Sequence, residues 1–228
     1  MNASAPGNAD RHPLAARFTA APYVSAPDNA ARRLGDWLSE IEPAQSAAIE
    51  MLLGHANARD ILLGIAEFSP YLFDLARADA TRLTRLLSCD PDSHLASLID
   101  GTAQAVWAAS GESDVAHLLR RMKAEAALLI ALCDIGGVWP VMRVTAALTD
   151  LAVASVQMVL RFLLRHEAAR GRIVPPDAER PDVGCGLIVL AMGKMGAGEL
   201  NYSSDIDLIV FFDRNAASLA EDIEPQPF

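Results

Sequence analysis

The 228-residue chain predicts an α+β fold that is mostly α. Three observations lead there. Apolar residues recur at helical spacing from about Asp28 to Gly171. The composition then changes sharply at Gly171 to proline, glycine and charge. Beyond that, two short β-branched and aromatic runs flank a glycine-rich turn.

Taken in order, residues 1–28 are rich in alanine, proline and asparagine, show little periodicity, and are expected as a poorly ordered leader. Residues 29–171 are expected as a helical domain, with breaks at Pro43, Gly54, Pro70, Pro91, Gly111, Gly136-Gly137 and Gly171. The clearest helix runs from about Ser113 to Ile135. Val115, Leu118, Leu119, Met122, Leu129 and Cys133 fall near one face, and Arg120, Arg121 and Lys123 lie largely outside it. A second long helix is expected from about Val141 to Ala169, turning basic towards its end, where positive charge suits the helix dipole. Residues 172–184 read as a linker. Residues 185–228 open with a strand at Leu187–Ala191, pass through G-K-M-G-A-G-E-L-N-Y-S-S, and continue into a strand at Ile206–Phe212. In that second strand Ile206, Leu208, Val210 and Phe212 alternate with their neighbours across the two faces.

Composition excludes several classes of function. With 52% hydrophobic and 21% charged residues, the chain is globular and not disordered. The 19 Lys+Arg against 29 Asp+Glu leave a net charge of −10, which argues against nucleic acid as a partner, since Lys and Arg neutralise phosphates. Cys89, Cys133 and Cys185 form no CxxC or Cys/His pattern, so neither a zinc site nor a disulfide framework is expected, and a reducing, cytoplasmic setting fits. No signal peptide is legible, and the apolar stretch Ala126–Met142 is interrupted by Asp134, Gly136, Gly137 and Pro140, so no membrane span is expected there.

The chemistry concentrates between Met192 and Asp213. Asp205 and Asp207 stand at i and i+2, which on a strand is one face. Adjacent carboxylates repel unless a cation lies between them, and Mg²⁺ is suited to share their oxygens with substrate phosphates. Gly193, Gly196 and Gly198 permit a tight turn whose N–H groups can cradle phosphate, with Lys194 adding charge and the Ser203 and Ser204 hydroxyls nearby. An isolated D-x-D is common. The strand, glycine loop and S-D-x-D together are the layout of a metal-dependent nucleotidyl-transfer site. Neither the dinucleotide fingerprint nor a Walker-type loop is present. Glu199 reads as a structural acceptor in the turn, and Asp213 as a solvated strand end. The five histidines are scattered without partners, and Trp37, Trp107 and Trp139 read as core or interface anchors.

The run from Gly193 to Ile209, G-K-M-G-A-G-E-L-N-Y-S-S-D-I-D-L-I, resembles the signature of bacterial glutamine synthetase adenylyltransferase, in its amino-terminal, adenylyl-removing half. Ser69-Pro70-Tyr71-Leu72 and the stretch from Leu118 to Gly137 agree, so the resemblance spans about residues 30–213. It implies that residues 185–228 begin a nucleotidyltransferase domain with a mixed sheet, incomplete here. It also implies that Asp205 and Asp207 are metal-binding and catalytic, and that Gly193, Lys194, Gly196 and Ser204 belong to the nucleotide-phosphate loop. The implied activity is Mg²⁺-dependent phosphorolysis of AMP from a tyrosine of glutamine synthetase, giving ADP, with adenylylation from ATP in the other half. Glutamine synthetase and the PII signalling protein are the implied partners. A third carboxylate, expected on a later strand, is absent, and the chain is expected to be a fragment without activity alone. Two alternatives stand beside this reading: a relative of the PII uridylyltransferase, which shares G-E-L…S-D-I-D-L, and a non-catalytic helical module with a vestigial motif.

Overall fold

The computed structural model describes residues 12–213. Its helices are α1 (Leu14–Arg17), α2 (Pro27–Glu40), α3 (Pro43–Leu52), α4 (Ala58–Phe68), α5 (Pro70–Arg77), α6 (Ala80–Ser88), α7 (Pro91–Ala108), α8 (Glu112–Ile135) and α9 (Val141–Ala169). Strand β1 (Leu187–Ala191), the single turn α10 (Gly193–Gly196) and strand β2 (Leu208–Phe212) follow. The α+β, mostly α class is the observed one.

Local chemistry sets many of the helix starts. Proline occupies the first helical position of α2, α3 and α5, where its missing N–H costs nothing. Side-chain oxygens cap others. Ser69 Oγ accepts from Leu72 N at 3.3 Å, Asp79 Oδ1 from Arg82 N at 2.8 Å, and Asp90 Oδ1 from Ser93 N at 3.0 Å. Within α6, Leu83, Leu86 and Leu87 are buried on one stripe, as an amphipathic period requires. The expected helices at 113–135 and 141–169 match α8 and α9 closely, and Arg120, Arg121 and Lys123 are exposed.

The described chain falls into two compact units. One runs up to Leu98 and includes Met122–Val144; the other joins Ile99–Arg121 to the chain from Thr145 onward. This division departs from the expected helical domain over 29–171, because the second half of α7, the start of α8 and most of α9 group with the strands. The stretch 172–184 is likewise no free linker. Arg161 Nε on α9 donates to Asp182 Oδ2 at 3.0 Å, and Pro181 is buried.

The expected leader over 1–28 also requires correction from residue 12 onward. Leu14, Ala15 and Phe18 are buried. Thr19 N donates to Gly136 O at 2.8 Å, and a Cβ at Gly136 would lie 2.2 Å from Cδ1 of the Phe18 ring. Gly136-Gly137 therefore ends α8 and also leaves room for this segment, a role invisible to a reading of local composition. Glu67 at the end of α4 fastens the same segment through Ser25 N at 2.9 Å, Ala26 N at 3.0 Å and the Ser25 hydroxyl. Residues 1–11 of the expected leader, and 214–228 of the expected last domain, lie outside the described residues.

Helices α6, α7 and α8 meet at one polar cluster. Glu125 Oε1 is 2.7 Å from His94 Nε2, and Arg85 grips the same carboxylate with Nε at 3.1 Å and Nη2 at 2.7 Å. Partial burial pushes this carboxyl up, but the bonds from His94 and Arg85 outweigh it and hold Glu125 down to about 2. Burial also pushes the Cys89 thiol up to about 11 and raises Cys133, so both are held as neutral thiols; all three cysteines are unpaired.

Strands β1 and β2 pair antiparallel, with Leu187 opposite Phe212 and Ala191 opposite Leu208. β2 starts two residues later than expected, and the inside–outside alternation predicted for it is not found. All five of its residues are exposed, whereas β1 alternates between half-buried and exposed. One face of the pair borders an apolar groove of about 440 Å³ shared by Val189, Leu208 and Val210 with Val159 and Leu163 of α9. Helix α9 has the length and hydropathy of a membrane span. Its Thr149 nevertheless accepts from Leu200 N, and its Arg161 and Arg165 donate to Asp182 Oδ2 and Ala109 O, as in a packed helix.

Two outcomes follow from these contacts. Glu125→Ala should cost about 2 kcal/mol at pH 7, the worth of a charge-assisted hydrogen bond in a sheltered place. Because the folded carboxyl lies below its ordinary value, that stabilisation is complete above about pH 4.5 and is lost as pH falls towards 2. Urea midpoints of wild type and variant should therefore converge over that window. In hydrogen exchange, β2 amides should exchange faster than those of α4, whose Ile61, Leu62, Ile65 and Ala66 are buried, since a two-stranded pair is marginal in water.

Candidate functional site

Everything at the site hangs on how the chain turns between β1 and β2. After Ala191 it passes Met192 and enters α10 with Gly193 at φ +52°, a conformation that favours glycine. At Gly196 the constraint is steric. A Cβ there would lie 2.4 Å from the carbonyl oxygen of Ala191, so the turn closes against the end of β1 only without a side chain. Gly198, at φ +75°, then redirects the chain.

The turn is anchored from beneath. Met195 and Leu200 are buried, and Leu200 N donates to Thr149 Oγ1 of α9 at 3.3 Å. Thr149 is the one buried polar residue among the described residues, and its hydroxyl also donates to Thr145 O at 2.9 Å. No sequence signal marked it, because a threonine inside a long helix has no motif around it.

Much of the expected phosphate cradle is used internally. Gly196 N donates to Met192 O at 3.1 Å, Ala197 N to Gly193 O at 3.1 Å, Gly198 N to Met195 O at 3.1 Å and Glu199 N to Lys194 O at 2.8 Å. The N–H groups left for an anion are those that open the turn, from Gly193 to Met195. Lys194 is exposed beside them.

Asn201 organises the next stretch. Its Oδ1 accepts from Ser203 N at 3.1 Å, Ser203 Oγ at 3.3 Å and Ser204 Oγ at 2.8 Å. Asn201 N donates back to Ser204 Oγ at 3.2 Å. The Ser204 hydroxyl thus spends its proton and one lone pair inside the turn. This is an Asx-type turn, recognisable from an asparagine two residues before a serine.

Asp205 and Asp207 follow, both exposed. They precede β2, which begins at Leu208. Their placement comes from the turn and from one ladder-like bond, Met192 N to Asp207 O at 2.9 Å. That bond brings Asp207 to the glycine turn, with its Oδ2 4.0 Å from where a Gly193 Cβ would stand. Gly193 and Asp207 are therefore together, although fourteen positions separate them in the sequence. Asp213 lies at the far end of β2, where its N–H donates to Gly186 O at 2.8 Å.

The donor set fits a hard cation. Two exposed carboxylates supply the oxygen ligands Mg²⁺ takes, and their openness leaves room for water and phosphate oxygens to complete an octahedron. Among the described residues no group of three or more His, Cys, Asp or Glu side chains forms a closed metal site. His94 belongs to the Glu125 cluster, and His166 stacks on Phe162 with ring centroids 4.3 Å apart.

A family model described as glutamate-ammonia ligase adenylyltransferase matches residues 60–228. A bifunctional glutamine synthetase adenylyltransferase/adenylyl-removing enzyme of Bradyrhizobium diazoefficiens is 69% identical over 100% of this chain, and one of Rhodopseudomonas palustris is 61% identical over 100%. A third, of Xanthobacter autotrophicus, is 51% identical over 98% of the chain. The chain spans 23% of the length of the first two relatives and 22% of the third. Such identity along the whole chain settles its kinship: it belongs to the glutamate-ammonia ligase adenylyltransferase family.

Proposed function

We propose that this chain supplies the phosphate-binding turn and the first two metal-binding carboxylates of a domain that removes AMP from an adenylylated tyrosine of glutamine synthetase. The observation that carries the reading is the meeting of Asp207 with the Gly193 turn, with Asp205 two residues away. Acidic oxygens beside the N–H groups that open the turn would offer the juxtaposition a phosphoryl group and its cation require. Relatives named both adenylyltransferase and adenylyl-removing enzyme support the substrate. The PII signalling protein as regulator and the cytoplasm as location belong to the same reading and rest on kinship.

In the phosphorolysis, an oxygen of inorganic phosphate attacks the AMP phosphorus, the bond from phosphorus to the tyrosine oxygen breaks, and ADP and a protonated tyrosine result. Gly193 to Met195 and Lys194 would orient phosphoryl oxygens, and Asp205 and Asp207 would hold Mg²⁺. When bound, Mg²⁺ neutralises the charge that develops on those oxygens. Asn201 fixes the turn that sets Asp205 in place, and Thr149 holds that turn to α9.

In the full-length enzyme, Asp205→Asn or Asp207→Asn should lower AMP removal at least about 100-fold, the upper end of what losing even an outer partner of a metal costs. Adenylylation in the same preparation should persist. Full phosphorolysis by either variant would overturn the metal assignment. Asn201→Ala should release the Ser203–Ser204 turn and lower kcat more than KM for phosphate, with the apparent Mg²⁺ requirement raised. An unchanged Mg²⁺ titration would show that the turn does not govern the carboxylates. The 228-residue chain alone should give no measurable phosphorolysis.

A further inference from the structure

Away from the glycine turn, the unit that contains the strands carries a second concave site with no part in the proposed reaction. A cleft of about 610 Å³ opens between the second half of α7, the middle of α9 and the loop at Glu179. Its volume is that of a ligand site. We propose that this cleft receives an arginine side chain presented on a segment of a partner protein.

The lining selects the charge. Asp100 and Glu179 border the cleft and are exposed, and neither has an ion-pair partner within 4.0 Å among the described residues. The cation in the lining, Arg161, is already matched, its Nε donating to Asp182 Oδ2 at 3.0 Å. Arg165, stacked on Trp107, bonds only a neutral carbonyl, so Asp100, Glu179 and Asp182 outnumber the two arginines by one and the cleft keeps a net negative charge. Anionic groups, including nucleotide phosphates, are repelled from it, and a cation is drawn in.

Its apolar part selects the shape of that cation. Trp107 and the buried Met158 give an aromatic and polarisable surface. The Trp107 indole already holds one guanidinium, with Arg165 Cζ 5.1 Å from a ring centroid. Arg165 is fixed there, since its Nη2 donates to Ala109 O at 2.7 Å. A flat guanidinium stacks on an indole better than a compact ammonium does, and its five donors match the amide oxygens of Gln104 and Gln157 and the carboxylate of Asp100. The lining on α7 extends from Ile99 to Trp107, about 12 Å along the helix axis, longer than one guanidinium. That length suits a peptide whose neighbouring residues lie on Ile99, Ala103 and Ala154.

The test is a titration of the ¹⁵N-labelled 228-residue chain, read at the Trp107 indole N–H and assigned with Trp107→Phe. The probes are a blocked alanine–leucine–arginine–leucine–alanine pentapeptide, the same peptide with norleucine for arginine, and agmatine as a free guanidinium. The arginine peptide should move the Trp107 signal saturably, bind more tightly than agmatine, and weaken in 0.5 M salt, where the Debye length is about half its value at 0.1 M. The norleucine peptide should leave the signal in place. The double variant Asp100→Asn, Glu179→Gln changes two exposed side chains and should weaken the peptide about tenfold, the sum of two exposed charge contacts. Equal shifts with norleucine, agmatine binding as tightly as the peptide, an unaffected double variant, or no saturable shift would each overturn the proposal.

Discussion

The approach of Gly196 to the carbonyl oxygen of Ala191 governs the candidate site. At that separation a Cβ would stand 2.4 Å from an oxygen that cannot move without dismantling β1. The chain therefore reverses within a single helical turn after β1. That reversal brings Asp207 back to Gly193 and lets Met192 N meet Asp207 O. Any side chain at this position would push the turn outward and carry the carboxylates with it, although none of them touches Gly196.

The support beneath the turn is equally economical. Thr149 offers one hydroxyl in an otherwise apolar surrounding, and a buried hydroxyl has to be satisfied. It gives its proton to Thr145 O along its own helix and accepts the Leu200 N–H from the loop, so a single side chain ties the turn to α9. Met195 and Leu200 add burial on either side. The loop can then stay open to solvent where the acidic and basic groups lie and closed where it meets the helix.

The helical unit is organised by a different balance. Alanine and leucine dominate its core and pack with little directional preference, and much of the direction comes from a few polar bonds. Glu125 gathers His94 and Arg85, Glu67 holds Ser25 and Ala26, and Asp92 accepts from Trp139 Nε1 at 3.3 Å and Arg143 Nε at 3.0 Å. Each joins segments distant in sequence. Such contacts set the register of helices whose apolar faces alone tolerate sliding.

By itself, the sequence determined the mostly helical class, the bounds of α8 and α9, the position of β1, and the family resemblance carried by the stretch from Gly193 to Ile209. Each of these is written in local periodicity, in turn residues, or in a motif a few residues long. Tertiary structure alone decided that residues 12–28 are packed, because the space for Phe18 is made by Gly136, more than a hundred positions away. It likewise decided that the compact units cut across the helical region, and that Asp207 returns to the Gly193 turn. It assigned Thr149 and Asn201 their tasks, and it left β2 exposed where its alternating pattern had promised burial. The physical reason is common to all of them: burial and hydrogen-bond satisfaction depend on which partners arrive from elsewhere in the chain, and no local pattern records that.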